Sequence, residues 1–233
     1  MSIGEKKGRE LAGCCNASWT DNYLFPFTSE IIIVAVPDHN LHEVLKKVKC
    51  NESAIIAHTA GSIGLEIFPE HFRNTGILYP LQTFSNNRDI DISTVPFFIE
   101  ASNKSSEDTL KILAESLSNS VYFSDSEHRR LLHLAAVFVS NFTNHMFTTG
   151  KSISQLAGFP FEVLKPLILE TIEKALEIGP ENAQTGPAVR YDLNTIEKHL
   201  DLLSFSPEQR DMYDRITKSI MSYYNTNKQD GQF

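Results

Sequence analysis

The hydrophobic pattern of this chain changes period near residue 125. Before that point, short β-branched runs alternate with stretches of helical spacing. Glu30 to Val36 (EIIIVAV) is a continuous apolar run, as expected for a strand buried on both faces. Pro37-Asp38 ends it, and Leu41 to Val48 follows with helical spacing. Ala54 to His58 predicts a second strand, closed by Thr59-Ala60-Gly61-Ser62. Gly76 to Tyr79 predicts a third, leading into Pro80-Leu81-Gln82-Thr83, and Val95 to Glu100 a fourth. Ser105 and Ser106 are candidate N-caps for a helix through Leu117, and Val121 to Phe123 reads as a last strand. Strands alternating with helices predict βαβ units and a mainly parallel sheet.

After Ser124 the pattern is helical. Residues from about Ser126 to Thr149 form one long apolar helix expected to stop near Gly150. Leu131 to His145 is apolar on nearly its whole circumference, which predicts burial. At about 100° per residue, His133, Ser140 and Asn144 share one stripe, with Asn141 beside it. Buried imidazole and amide groups need partners, so the stripe holds either an internal polar network or the wall of a cleft. Pro160 to Ile178 is a second long helix, stopped by Gly179-Pro180, with Pro166 kinking it or delaying its regular start. Asp192 or Asn194 can cap a helix to Leu203. Ser206 followed by Pro207 opens a last helix to about Tyr224, with a loose tail after it. The expected domains are 1–124, a sheet domain, and 125–233, an all-α domain.

Open α/β sheets bind ligands at the carboxyl ends of their strands. Three loops fall there: Pro37-Asp38-His39, Thr59-Ala60-Gly61-Ser62, and Tyr79-Pro80-Leu81-Gln82-Thr83. The same residues are also ordinary turn formers. Between two predicted helices lies Gln184-Thr185-Gly186-Pro187-Ala188-Val189-Arg190-Tyr191-Asp192. Gly186 permits close backbone approach and Arg190 can hold a carboxylate or phosphate. A plain interhelical turn, with Asp192 as cap, accounts for this segment equally well. His199 reads as a partly buried structural histidine.

Composition narrows the partners. The chain has 233 residues, 41% hydrophobic and 21% charged, with a net charge of −8. That charge, without a basic run, argues against nucleic acid and anionic membrane. No apolar run approaches the roughly 20 residues of a membrane span, and MSIGEKKGRELAG has no apolar core of a signal peptide. The cysteines are Cys14, Cys15 and Cys50, with no metal-ligand spacing, so no metal is expected and a reducing cytoplasm fits.

The segments IIIVAVPD, HTAGS, YPLQTFS, HLAAVFVSNFTNH and QTGPAVRYD resemble, in order and spacing, the Rossmann-like DUF2520 proteins. Members are commonly described as candidate NADP oxidoreductases, related in fold to pyrroline-5-carboxylate reductase and 6-phosphogluconate dehydrogenase. The resemblance covers about Gly8 to Ile220, and many relatives have His where this chain has Tyr79. It implies a Rossmann-like α/β domain, a helical substrate and dimerisation domain, a homodimer, and NADP or NAD as cofactor. Family members open with a strand, a G-x-G-x-x-G turn, a helix and a second strand. No such turn occurs in this sequence; the close glycine pairs are Gly4/Gly8 and Gly61/Gly64. The expectation is therefore a sheet lacking its first βαβ strands, with Gly4 to Gly13 as the following helix and Ala17 to Thr20 as the next strand. Tight cofactor binding is then not expected of this chain.

The function so implied is an NAD(P)-dependent oxidoreductase acting on a small, anionic metabolite. His133 is the candidate proton donor, since imidazole titrates near neutral pH, and Asn141 the residue that orients the substrate. Val36, Pro37, Asp38, Thr59, Ala60, Gly61 and Ser62 face the cofactor. Tyr79, Gln82, Thr83, Ser140, Thr185, Gly186 and Arg190 face the substrate. The alternative is a non-catalytic binding or scaffold protein that keeps the fold without the cofactor.

Overall fold

The computed structural model describes residues 5–85 and 88–229, with side chains described through residue 225. Contacts divide the chain into two compact units, Met1–Phe142 and Thr143–Phe233. The first holds a sheet of β1 (Ile31–Val34), β2 (Ile55–His58), β3 (Thr75–Pro80), β4 (Phe97–Ala101) and β5 (Val121–Phe123), in that spatial order. β1, β2 and β3 run parallel, β4 pairs antiparallel with β3, and β5 is parallel to β4. The same unit also holds α1 (Glu5–Cys14), α2 (Asp38–Lys47), α3 (Lys104–Leu117) and α4 (Ser126–Ala136).

Two apolar layers sandwich β2. Ile32, Val34 and Ile56 pack with Leu41 and Leu45 of α2, while Ala57, Leu78 and Ile99 pack with Leu110 and Ala114 of α3. Fully burying each such Leu or Ile contributes about 1.5–3 kcal/mol. Gly76 is what lets α3 lie so close, because a Cβ there would collide with the Leu110 side chain. β2 thus has the two buried faces its sequence predicts. β1 does not: Ile32 and Val34 are buried but Ile33 is 39% exposed. As the terminal strand of the sheet order, β1 is covered fully on one face and only in part on the other, where Ile31 packs against the second layer but Ile33 stays exposed.

Several expectations need correction. Asn103, not Ser105 or Ser106, caps α3, its side chain accepting the Ser106 N–H at 2.9 Å. Ala17 to Thr20 is not a strand; the nearby pairing is a single parallel bridge between Leu24 and Lys49. Asp38 opens α2 instead of sitting in a loop, with Pro37 at the N-cap. The helix from Ser126 does not stop near Gly150. It passes through a π-helical stretch, Val137–Phe142, and continues as α5 (Thr143–Leu156). A glycine late in a helix costs only about 1 kcal/mol, which the flanking turns can absorb. Nor is this helix buried all round, since Leu131 and Val139 are exposed.

The second unit contains α5, α6 (Lys165–Ile178), α7 (Pro180–Ala183), α8 (Leu193–Leu202) and α9 (Pro207–Gln229). Pro166 does delay the regular start of α6: residues 161–164 are 3₁₀ and the α-helix begins with Pro166 in its first turn. Gly179, at φ 85°, ends it. Asp192 caps α8 by accepting the Thr195 N–H at 3.1 Å. α9 runs on to Gln229, so residues 225–229 are helical where a loose tail is expected. Gly4 and the last four residues of that tail lie outside the described residues.

Candidate active site

The sheet unit gathers its candidate residues at the carboxyl end of β2 and β3. A cleft of about 340 Å³ is lined by Tyr79, Gln82 and Thr83 from the β3 end and by His133, Ser140 and Asn141 from α4 and the π-helical stretch. Leu132, Ala136 and Val139 supply its apolar wall. The Tyr79 hydroxyl and His133 Nδ1 share a hydrogen bond of 3.1 Å, the rings meeting edge to face. Burial pushes the Tyr79 phenol above its ordinary value, so it keeps its proton at neutral pH.

Gly61 packs directly beneath this pair. A Cβ at that position would lie 2.6 Å from the Tyr79 ring and 2.8 Å from His133 Nδ1, closer than atoms tolerate. The loop that carries Gly61 is held at three points. His58, fully buried, accepts the Ala60 N–H on Nδ1 at 3.2 Å. Burial depresses the His58 pKa to about 4, with a smaller contribution from the Arg129 guanidinium, so the ring is neutral and carries its proton on Nε2. Arg129 donates to the Ile63 carbonyl at 2.7 Å, and Arg130 to the Ser62 carbonyl at 3.1 Å. Ser62 in turn donates to the Asp38 carboxylate at the start of α2.

The structure therefore brings together Gly61, Tyr79, Gln82, Thr83, His133, Ser140 and Asn141, and ties Ser62 to Asp38 beside them. Thr59 is half-buried and Ala60 buried in the same loop, and Val36 and Pro37 lead into α2. Gln82 is partly occupied locally, its side-chain carbonyl accepting the Thr83 N–H at 2.8 Å. Asn144 of the expected stripe, like Thr185, Gly186 and Arg190, belongs to the helical unit. There Gly186 adopts φ 111°, Arg190 is exposed, and Thr185 borders an apolar cavity of about 240 Å³ with Met146, Met212 and Ile216. His199 is half-buried and hydrogen-bonded through Nδ1 to the Tyr213 hydroxyl at 2.8 Å.

Sequence reasoning missed His58, Glu100, Ser126, Arg129 and Arg130. Arg129-Arg130 stands immediately before the apolar run and reads as a solvated helix start. The signal available was spacing: Arg129 stands four residues before His133, on the same helix face.

A nicotinamide cofactor is the group the loops suggest, and the residues fit one end of it. The hydroxyl of Ser62, the Asp38 carboxylate and the close approach allowed by Gly61 suit a ribose and an uncharged ring. They do not suit a pyrophosphate, because Asp38 places a carboxylate at the α2 N-terminus where an anion would otherwise be drawn.

The fold and this strand-end cleft define a Rossmann-like α/β protein with a helical C-terminal region. Residues 95–220 match the model of a domain of unknown function, DUF2520. The chain also aligns at 40% identity with a candidate NADP oxidoreductase from Bacteroides fragilis, covering 95% of this chain and 86% of that one, with a TM-score of 0.84. It belongs to the DUF2520 family. A protein from Thermotoga maritima shares the fold at 23% identity and TM-score 0.79, covering 96% of this chain and 90% of that one. An imine reductase from Myxococcus stipitatus, in complex with NADP+, shares it at 15% identity and TM-score 0.55, over 97% and 84% of the two chains. No curated protein matches the sequence. Among the described residues, no helix is long and apolar enough to cross a membrane.

Proposed function

We propose that this protein is an NAD(P)-dependent oxidoreductase that reduces or oxidises a small metabolite in the cleft of the sheet unit. The observation that carries the reading is the Tyr79–His133 couple, set on Gly61 at the carboxyl ends of two parallel strands. That is where open α/β sheets place their ligands. A nicotinamide, when bound, exchanges a hydride with the substrate. Tyr79, its proton retained by burial, donates a hydrogen bond to the substrate oxygen or nitrogen. His133, at 3.1 Å, supplies or takes up the proton behind it. Ser140 and Asn141 orient the substrate from the π-helical stretch, and the apolar wall excludes water. Thr185, Gly186 and Arg190, the other expected substrate residues, belong to the helical unit, where Arg190 is exposed on its turn.

The loops at Val36–Asp38 and Thr59–Ser62 hold the nicotinamide and its ribose. Without a G-x-G-x-x-G turn in these 233 residues, we expect this chain to bind NADPH weakly. Three free thiols suit a reducing cytoplasm. The helical unit is proposed to pair two copies, since Leu167, Leu169 and Leu176 of α6 are all more than half exposed. Sedimentation equilibrium at micromolar concentration tests the pairing, and a monomer refutes it.

Reduced nicotinamide riboside, which carries no phosphate, is the probe for the site itself. Added to the labelled protein at millimolar concentration, it is expected to shift the Gly61, Ser62 and Tyr79 resonances, and His133→Ala should abolish NADPH-dependent turnover in a carbonyl and imine screen. Riboside shifts with no turnover on any substrate favour the non-catalytic alternative. Absence of shifts at these residues refutes the site.

A further inference from the structure

We infer that the buried Arg129–Glu100 pair positions the Tyr79–His133 couple, an inference that rests on reading that couple as the proton-handling centre. Arg129 is fully buried, and its guanidinium is paired with the Glu100 carboxylate, itself mostly buried. The other terminal nitrogen, Nη2, donates both to the Ile63 carbonyl at 2.7 Å and to the Ser126 hydroxyl at 3.2 Å. Ser126 donates in turn to Glu100, at 2.7 Å to Oε2.

These contacts close a circuit. Glu100 lies on β4 directly opposite Ile77 of β3, two residues before Tyr79. Arg129 carries the link from Glu100 to α4, and one helical turn later His133 reaches back to the Tyr79 hydroxyl. The third member, the glycine loop, is held through consecutive carbonyls: Ile63 by Arg129, Ser62 by Arg130. Strand, helix and loop therefore share one polar junction.

Apolar packing does little to set this register within the sheet unit. Leu131 and Leu134, on either side of His133, are 61% and 51% exposed. A helix held by so few buried apolar contacts can slide or rotate, and a directional fork prevents that. Buried ion pairs add little net stability, and specifying register is their best-attested use. Arginine suits the task because its planar fork addresses several acceptors at once, which lysine cannot do.

Nitrogen NMR of the histidine side chains tests this without substrate or cofactor, so its outcome is separate from that of the proposed activity. Tyr79→Phe defines the His133 Nδ1 signal of a broken couple. Arg129→Met and Glu100→Gln are expected to move the His133 signal at least half-way from wild type to that reference. Arg129→Lys, which keeps charge but not the fork, is expected to fall between. The Leu45 and Ile56 methyl signals, in the core layer under α2, report that the sheet unit remains folded. A wild-type His133 signal in folded Arg129→Met or Glu100→Gln overturns the inference. If those two variants lose their fold, Arg129→Lys decides, and a wild-type signal there overturns it equally.

Discussion

Each unit contains a histidine hydrogen-bonded through Nδ1 to a tyrosine hydroxyl. In the sheet unit it is His133 with Tyr79 at 3.1 Å, and in the helical unit His199 with Tyr213 at 2.8 Å. By distance and edge-to-face geometry the two are near twins. Their surroundings separate them. His199 and Tyr213 stand 14 residues apart on α8 and α9 and staple two successive helices. His133 and Tyr79 stand 54 residues apart, face a cleft, and rest on a loop with no room for a side chain at Gly61. A hydrogen-bonded His–Tyr pair is therefore not a site in itself. What makes one is placement at strand ends, with a pinned backbone beneath it.

The sharpest way to break the comparison is to cut each pair in the same manner. Tyr79→Phe is expected to lower turnover by about 10²–10⁴, the usual contribution of a positioned proton donor, and Tyr213→Phe to leave turnover within a factor of two. Equal losses would mean that both pairs are structural. Next comes a pH effect confined to the sheet unit. The native His58 pKa, about 4, lies below the ordinary value near 6.5. Between those values the unfolded chain binds the proton and the native state does not. Stability is thus fully present above about pH 6.5 and falls by about 3 kcal/mol as the pH drops through about 4. Chemical denaturation from pH 7 to 4 measures this, and His58→Gln should flatten the slope. The smallest effect is expected from Gly61→Ala. The added methyl must displace Tyr79 or His133, at a cost of about 1–3 kcal/mol. Denaturant titration should register that loss together with lengthening of the Tyr79–His133 contact, while the His199 signal stays in place.

Much of the sheet was legible because strand signals are local. β-branched runs and the punctuating Pro37, Gly61 and Pro80 locate β1, β2 and β3 to within a residue or two. The cleft was legible in part. His133, Ser140, Asn141, Tyr79, Gln82 and Thr83 do converge, since a polar group on an apolar helix is conspicuous. Two things hid the rest. Arg129 looks like a surface charge, and only its pairing with Glu100, 29 residues away, buries it. The π-helical stretch breaks the constant angular step assumed along Leu131 to His145. An i→i+5 segment accommodates an extra residue per turn, so faces on either side of it no longer align. This is why Asn141, placed beside the stripe, lines the cleft with Ser140. Burial of that helix was also overestimated: its apolar circumference predicts a covering all round, but Leu131, Leu134 and Val139 are exposed.

The buried charge of Arg129 also bears on where this protein can be divided. By hydrophobic period, the sheet ends at Ser124. A sheet fragment ending there would carry Glu100 without its counter-ion, and would leave the Ile63 and Ser62 carbonyls without their arginine donors. Removing one member of a buried pair typically costs about 3–5 kcal/mol, a large share of the stability of an average domain. The first turns of α4 are thus part of the sheet's own interior, although the sequence writes them in a helical idiom. Recombination or gene fusion at this joint preserves the module only when the cut falls beyond the arginines, closer to Phe142, where the compact units divide.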